Sequence, residues 1–403
     1  MEVYEVFKLI CIVQTIGKVL FNSKQLLIQM NKTVKTGDSL SRQIGRRTIS
    51  VLGLCLACMA AVAQVKWYNP LETEGPSVVC GQGWKEDGGN YRRLPARAKD
   101  KVRQAVWDLA CESAGLSIRF RTDAEDIQVK YTVTGGFSMP HMPATGVSGV
   151  DLYRHADRGF CFGHYAFGDT VRYSYRIDRG EQTDTAQEYT LYLPLYNGVS
   201  HLQIGIPQQN CLTFVPVAAA TKPVVLYGTS IAQGACASRP GMAWGNIVSR
   251  CMEVPLVNLG FSGNGKLEPE VLDFIAEQDA AVFMIDCMAN MGGEDNEEIR
   301  RRVKAAVCQL RMRHPETPIL LIDHAGYSNG VTNSGQYDTY TRCNRVQAAA
   351  FRELQQEGVK QLFYLSHNEL GLHPDAWVDY VHPSDFGMMQ QAAAVMHKLQ
   401  QIQ

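Results

Sequence analysis

Five almost unbroken apolar runs constrain this chain more than any other feature. They are VVLY (224–227), VPLVNLG (254–260), AAVFMID (280–286), PILLID (318–323) and QLFYLS (361–366). Helix-period stretches follow them, among them EEIRRRVKAAVCQLRMR (297–313), TRCNRVQAAAFRELQQEG (341–358) and SDFGMMQQAAAVMHKLQ (384–400). A strand with one wet face alternates polar and apolar residues, whereas a strand apolar throughout is covered on both faces. Alternation of such strands with helices predicts a parallel α/β sheet over residues 222–403. In open sheets of this kind, ligands bind beyond the carboxyl ends of the strands.

Residues 65–215 have a different rhythm. LSIRFRT (116–122), IQVKYTVTG (127–135), VRYSYRID (171–178), YTLYLPLY (189–196) and VSHLQIGI (199–206) alternate with a period near two. Turns containing Gly, Asn and Asp separate them. This predicts half-buried antiparallel strands in a sandwich or jelly-roll-like domain. AKDKVRQAVWDLAC (98–111) reads as a helix or an irregular cover, and TFVPVAAATKP (213–223) as the linker.

The N-terminus reads as a targeting segment. Arg46 and Arg47 precede ISVLGLCLACMAAVA (49–63), which ends Ala61-Val62-Ala63. A basic region, an apolar region and a small-x-small end make a secretory signal, cleaved near Gln64. The apolar stretch falls short of the ~20 residues that a membrane span needs. Signals begin near their initiator Met, so the expected start is Met30, with 1–29 an extension and 30–63 the signal peptide. Export to the periplasm, cell surface or medium follows, with no transmembrane span in the mature chain. With 39 Lys+Arg against 40 Asp+Glu, no basic footprint for nucleic acid is present. Of 12 cysteines, those beyond the signal show no CxxC pair and no metal-ligand rhythm. Cys251, Cys287 and Cys308 lie in apolar contexts and read as buried free thiols.

The residues that follow the strands carry the chemistry. Gly228-Thr229-Ser230 follows the first, Gly260-Phe261-Ser262-Gly263-Asn264-Gly265 the second, and Asp286-Cys287-Met288-Ala289-Asn290 the third. A loop after the fifth holds Asp379-Tyr380-Val381-His382-Pro383. Acyl transfer by a serine needs a base within hydrogen-bond reach, and a carboxylate to fix the tautomer of that base. Ser230, His382 and Asp379 supply those types, the last two three residues apart. The tetrahedral oxyanion needs donors, which the Ser230 and Gly263 N–H groups and the Asn290 amide can provide. His324, His367 and His373 compete as bases, and Gly260 competes with Gly263. Trp244 is a pocket residue or core.

Gly-Thr-Ser-Ile with the later Gly, Asn and Asp-x-x-His resembles the SGNH, or GDSL-type, hydrolases. ASRPGMAW (237–244), NLGFSGNG (258–265), DCMANM (286–291) and Gly149-Val150-Asp151-Leu152-Tyr153 resemble one branch, which carries a β-rich N-terminal domain. The likeness spans most of 65–400. It implies a flavodoxin-like three-layer sheet and ester hydrolysis without a metal or other cofactor. The family motif maps onto Ser230, Gly263, Asn290 and His382, with Asp379 as the acid. Departures are Thr229 in place of the usual Asp before the serine, Ile231 after it, and Met288 where Gly is usual two residues before Asn290. Gly149 to Tyr153 reads as a fold or domain-contact signature. The expectation is a secreted serine esterase that removes short acyl groups, chiefly acetyl, from carbohydrate. Lipase, lysophospholipase and thioesterase activities, or an inert carbohydrate-binding module, are the alternatives. The oligomeric state is open.

Overall fold

The computed structural model describes residues 64–84, 89–178, 185–218 and 221–402. The signal-peptide and start-site expectations fall on residues outside these.

Two antiparallel sheets form the first part. One has the order β1 (Val65–Tyr68), β10 (Val199–Pro207), β4 (Asp126–Val133), β8 (Val171–Arg176), β7 (Gly163–Ala166). The other runs β11 (Leu212–Phe214), β3 (Ser117–Thr122), β9 (Gln187–Tyr192), β5 (Asp151–Arg154), β6 (Phe160–Cys161), with β2 (Val79–Cys80) also on β3. Period-two patterning makes them a sandwich. In β8, Val171, Tyr173 and Tyr175 are buried while Arg172, Ser174 and Arg176 face solvent. Ile118, Phe120 and Leu191 from one sheet share a core with Val129, Tyr131 and Ile204 from the other.

Three expectations need adjusting here. YTLYLPLY pairs only as far as Tyr192, because Pro194 has no N–H to continue a ladder. Thr213 and Phe214, read as linker, pair with Arg121 and Phe120 in β3. Of 98–111, only Gln104–Ala110 is α-helix. Its Val106, Trp107 and Ala110 pack into the core of the second part, so it covers the neighbouring sheet rather than the sandwich.

The second part is a five-stranded parallel sheet in the order β13 (Leu256–Gly260), β12 (Val224–Gly228), β14 (Val282–Asp286), β15 (Ile319–Ile322), β16 (Leu362–Leu365). This is the flavodoxin-like order 2-1-3-4-5. Val225 and Tyr227 enter the core beneath helices Pro269–Ile275, Asn296–Arg313 and Ser334–Gln356. Val224 and Leu226 enter the opposite core, beneath Trp244–Met252 and Asp385–Ile402. Both faces are therefore covered, as continuous apolar strands require. Asn333 caps the Ser334–Gln356 helix by accepting from the Gln336 N–H, which starts that helix earlier than its apolar period announces. Trp244 is fully buried, so its core reading holds.

All nine described cysteines are free, but of Cys251, Cys287 and Cys308 only Cys287 is buried. Cys308 follows buried Val307 on its helix and turns about 100° away from it, out to solvent. Among the described residues, no helix is long and apolar enough to cross a membrane.

Candidate active site

β12 lies between β13 and β14, with Gly228 opposite both Gly260 and Asp286. Three of the segments singled out by sequence therefore leave the sheet at one level, at the point where strand order reverses. Ser230 opens the short helix Ser230–Gln233 directly after β12. Its hydroxyl lies 2.9 Å from Nε2 of His382. The other ring nitrogen of His382, Nδ1, lies 2.8 Å from Oδ2 of Asp379. Oδ1 of Asp379 accepts the backbone N–H groups of His382 at 2.7 Å and Val381 at 2.8 Å.

One carboxylate thus holds both the ring and the loop that carries it. Partial burial pushes the Asp379 carboxyl upward, but the His382 ring and the two N–H groups outweigh it and hold its pKa below the ordinary value. Such a chain sets a hydroxyl against an imidazole whose far N–H is fixed, the arrangement that lets a base take a serine proton.

The competing histidines sit elsewhere. His324 is fully buried, and burial first, then His367, drops its pKa to about 3. Its Nδ1 accepts the Gly326 N–H at 2.9 Å. His367 packs against Tyr340. His373 is exposed, 3.5 Å from Asp375.

The glycine alternatives separate on space. A Cβ on Gly260 would lie 2.3 Å from the Gln233 backbone nitrogen, so Gly260 permits close packing of the serine-bearing helix. Gly263 has φ +67° and open space where a Cβ would point. Asn290 ends the turn Met288–Asn290 after β14. With the Asn290 amide turned so that both of its ends find suitable partners, its oxygen accepts from the N–H groups of Asn264 and Gly265, each at 3.0 Å, and its NH₂ lies on the opposite side. Met288, the departure from the family pattern, buries its side chain in the core, and Asn290 still reaches the Gly-rich turn.

Sequence reading passed over several residues around this site. Gln233 accepts the Ser262 N–H at 3.0 Å and donates to the Leu195 carbonyl at 3.1 Å and to the Glu112 carboxylate. The fully buried Arg93 donates to the Gly260 carbonyl at 2.5 Å and the Leu109 carbonyl at 2.6 Å. Burial raises the Glu112 pKa to about 7, against the opposing pull of Arg93 and Gln233.

Residues that precede the parallel sheet in the chain thus brace the turn that carries Gly263. The Gly-x-Asp-Leu-Tyr signature does related work. Asp151 accepts from Arg239 and from the Gly241 N–H, each at 2.8 Å, and so ties the sandwich to the ASRPGMAW segment. His141, also from the first part, stacks on His382 with ring centroids 5.6 Å apart. Cys236 Sγ lies 3.4 Å from the His141 carbonyl oxygen. These partners are distant in sequence and carry no local motif, so no one-dimensional signal marks them.

Residues 221–400 match the GDSL-like lipase/acylhydrolase family. Residues 65–212 match the family described as the N-terminus of SGNH-hydrolase-type esterases, known by its Gly-x-Asp-Leu-Tyr signature. A protein from Bacteroides ovatus ATCC 8483, described as a GDSL-like lipase, is 30% identical, with a TM-score of 0.76 over 84% of this chain and 98% of that one. The salicylyl-acyltransferase SsfX3 from a tetracycline biosynthetic pathway is 17% identical, with a TM-score of 0.68 over 85% of this chain and 98% of that one. The acetyl xylan esterase Est2A from Butyrivibrio proteoclasticus is 9% identical, with a TM-score of 0.51 over 84% of this chain and 98% of that one. No curated protein sequence matches the chain. With its parallel sheet, its Gly-x-Asp-Leu-Tyr domain and a 30% identical relative matched over nearly its whole length, the chain belongs to the GDSL-like, or SGNH, family of lipases and acylhydrolases and is an ester hydrolase.

Proposed function

We propose that this enzyme is an exported serine esterase that removes short acyl groups, acetyl above all, from carbohydrate, with Ser230 as nucleophile. The hydrogen-bond chain from Ser230 through His382 to Asp379 is the observation that carries this reading. His382 takes the hydroxyl proton as Ser230 Oγ bonds to the ester carbonyl carbon. Asp379 keeps the proton on Nδ1 and stabilises the imidazolium. The oxyanion is met by the N–H groups of Ser230 and Gly263 and by the Asn290 NH₂. Collapse of the tetrahedral adduct breaks the bond to the sugar oxygen, which leaves with the proton held by His382. Water, deprotonated by the same imidazole, then frees the acid and restores the serine.

The sugar choice is supported by tyrosines beside the acid. Tyr380, adjacent to Asp379, is half exposed and lies 5.7 Å from the Tyr327 ring, and half-exposed Tyr337 packs on Tyr340 nearby. Tyrosines of this kind present an apolar ring and a polar tip, which suits the mixed faces of a sugar. The fold shared with an acetyl xylan esterase motivates the acetyl group. The basic and apolar segment 46–63 supports export, and finding the mature protein in the cytoplasm with that segment attached would refute it. A lipase reading draws on the description of the 30% identical relative.

The test is acetate release from a panel of acetylated glycans, beside aryl acetate and aryl octanoate. Faster hydrolysis of the acetate and release from at least one glycan are expected. Preference for octanoate would replace this reading with a lipase. Ser230→Ala should leave thermal unfolding unchanged and remove turnover by up to ~10⁶, because triad members act as a unit. An active Ser230→Ala enzyme would refute the assignment.

A further inference from the structure

One cluster joins the His382–Asp379 pair to two residues, His141 and Cys236, that have no part in ester hydrolysis. His141, Cys236, Asp379 and His382 each offer a ligand atom, and these atoms all lie within 4.8 Å of one another. They come from three separate segments: the turn closed by the Met139–Met142 bridge, the turn after the Ser230–Gln233 helix, and the acid loop.

The placement of Cys236 is costly. It is a buried non-glycine residue at φ +67°, a conformation that costs about 1–3 kcal/mol and tends to mark functional positions. In return its sulfur lies beside the His141 main chain and near the Asp379 carboxylate. His141 is exposed, with its ring laid against that of His382.

We infer that these four side chains form a binding site for a zinc-class transition-metal ion, and that the bound ion shuts the enzyme off. Two imidazoles, a thiolate and a carboxylate are the donors that Zn²⁺ takes, whereas Mg²⁺ and Ca²⁺ prefer oxygen alone. Metal–ligand bonds of ~2.0–2.3 Å put tetrahedral ligand atoms about 3.3–3.8 Å apart. The cluster therefore has to contract by only about an ångström. Four protein ligands fill a tetrahedron and leave no position for water or substrate, the mark of a closed rather than a catalytic zinc site.

Coordination also dismantles the triad. Whichever nitrogen of His382 binds the ion gives up its present hydrogen bond, to Asp379 or to the Ser230 hydroxyl. An Asp379 oxygen turns to the metal as well. The Cys236 thiol releases its proton to solvent, and each imidazole binds through a lone pair. No covalent bond breaks apart from S–H, so removal of the metal restores activity. The proposed serine mechanism uses no metal.

Co²⁺ and Zn²⁺ titrations of the whole chain test this. Cobalt binding should produce a near-ultraviolet thiolate-to-metal absorption band, which is read whether or not ester hydrolysis occurs. Zinc should displace the band and inhibit hydrolysis, and a chelator should reverse the inhibition. Cys236→Ser should abolish the band. Both Cys236→Ser and His141→Ala, each referred to its own zinc-free rate, should weaken zinc inhibition tenfold or more, since even outer-shell changes cost about 10–100-fold in affinity. Exposed His141 is the safer variant for folding. Lack of a thiolate band in the wild type, zinc inhibition undiminished in His141→Ala, or metal uptake that leaves turnover intact would each overturn the inference.

Discussion

Asp379→Asn tests the proposed triad most sharply, because it replaces one of two carboxylate oxygens and so separates their two roles. The wild-type carboxylate accepts three hydrogen bonds: the His382 and Val381 N–H groups through Oδ1 and the ring Nδ1 through Oδ2. An asparagine keeps the first two, since its carbonyl oxygen can stand where Oδ1 stands. The loop is therefore held and stability should change little. The second oxygen becomes an NH₂, which can only donate. Nδ1 of His382 must then accept, so the proton moves to Nε2, the nitrogen facing Ser230. A protonated Nε2 cannot take the serine proton.

In a buried serine triad this change costs ~10⁴ in kcat, equivalent to about 5.5 kcal/mol at 1.36 kcal/mol per decade. The Asp379 side chain is 30% exposed, so water can partly replace the lost acceptor. The expected loss is roughly 10²–10⁴-fold in kcat, with KM near wild type. Steady-state kinetics on an aryl acetate, together with thermal unfolding, measure both halves. A kcat within tenfold of wild type for the folded variant would show that Asp379 does not orient the base. Asp379→Ala should behave differently, since it frees the loop as well and should lower the melting temperature.

Asn290→Ala removes one proposed oxyanion donor and should cut kcat by ~10²–10³ with little effect on KM. A rise in KM with kcat unchanged would count against that role. Gly260→Ala forces a Cβ to 2.3 Å from the Gln233 nitrogen and should destabilise by about 1–3 kcal/mol or more. Gly263→Ala, with open space but φ +67°, should cost only about 1–2 kcal/mol. Chemical denaturation ranks the two, and the reverse order would contradict the packing described. Glu112, with its native pKa raised to about 7, holds a proton that the unfolded chain loses above about pH 4.3. It therefore lowers stability progressively as pH rises from about 4.3 to about 7, with no further change above. Glu112→Gln lacks this penalty, so stability of the variant relative to wild type should increase across that window. A difference that stays flat with pH would mean that Glu112 is ionised throughout.

Much of the site is legible in one dimension because its chemistry sits at fixed offsets from strand ends. Ser230 stands two residues past β12, and Asn290 four past β14. Asp379 and His382 share one loop, so local geometry already pairs them. Period-two and continuous apolar patterns separate the two parts of the chain, because they record how many faces of each sheet are wet. The misreadings are of element ends, as at Thr213 and Phe214, and of facing. Cys308 lies among apolar residues along the chain yet looks outward, because a helix rotates each successive side chain by about 100°.

By itself, the sequence determined the parallel sheet, the antiparallel part before it, and the residue types that converge on one edge. All of these follow from periodicity and from strand polarity. Only the tertiary structure decided which glycine packs beneath the serine helix and which faces open space, since that depends on the distance from Gly260 to the Gln233 backbone. It alone brought Arg93 and Glu112 under the Gly-rich turn, and His141 and Cys236 against the His382–Asp379 pair. Such contacts join segments 95 or more residues apart. They arise because the sandwich and the parallel sheet bury surface against each other, through Met142, Val147, Leu195 and Tyr196 in the core beneath Trp244. No local pattern encodes which side chains that burial will align.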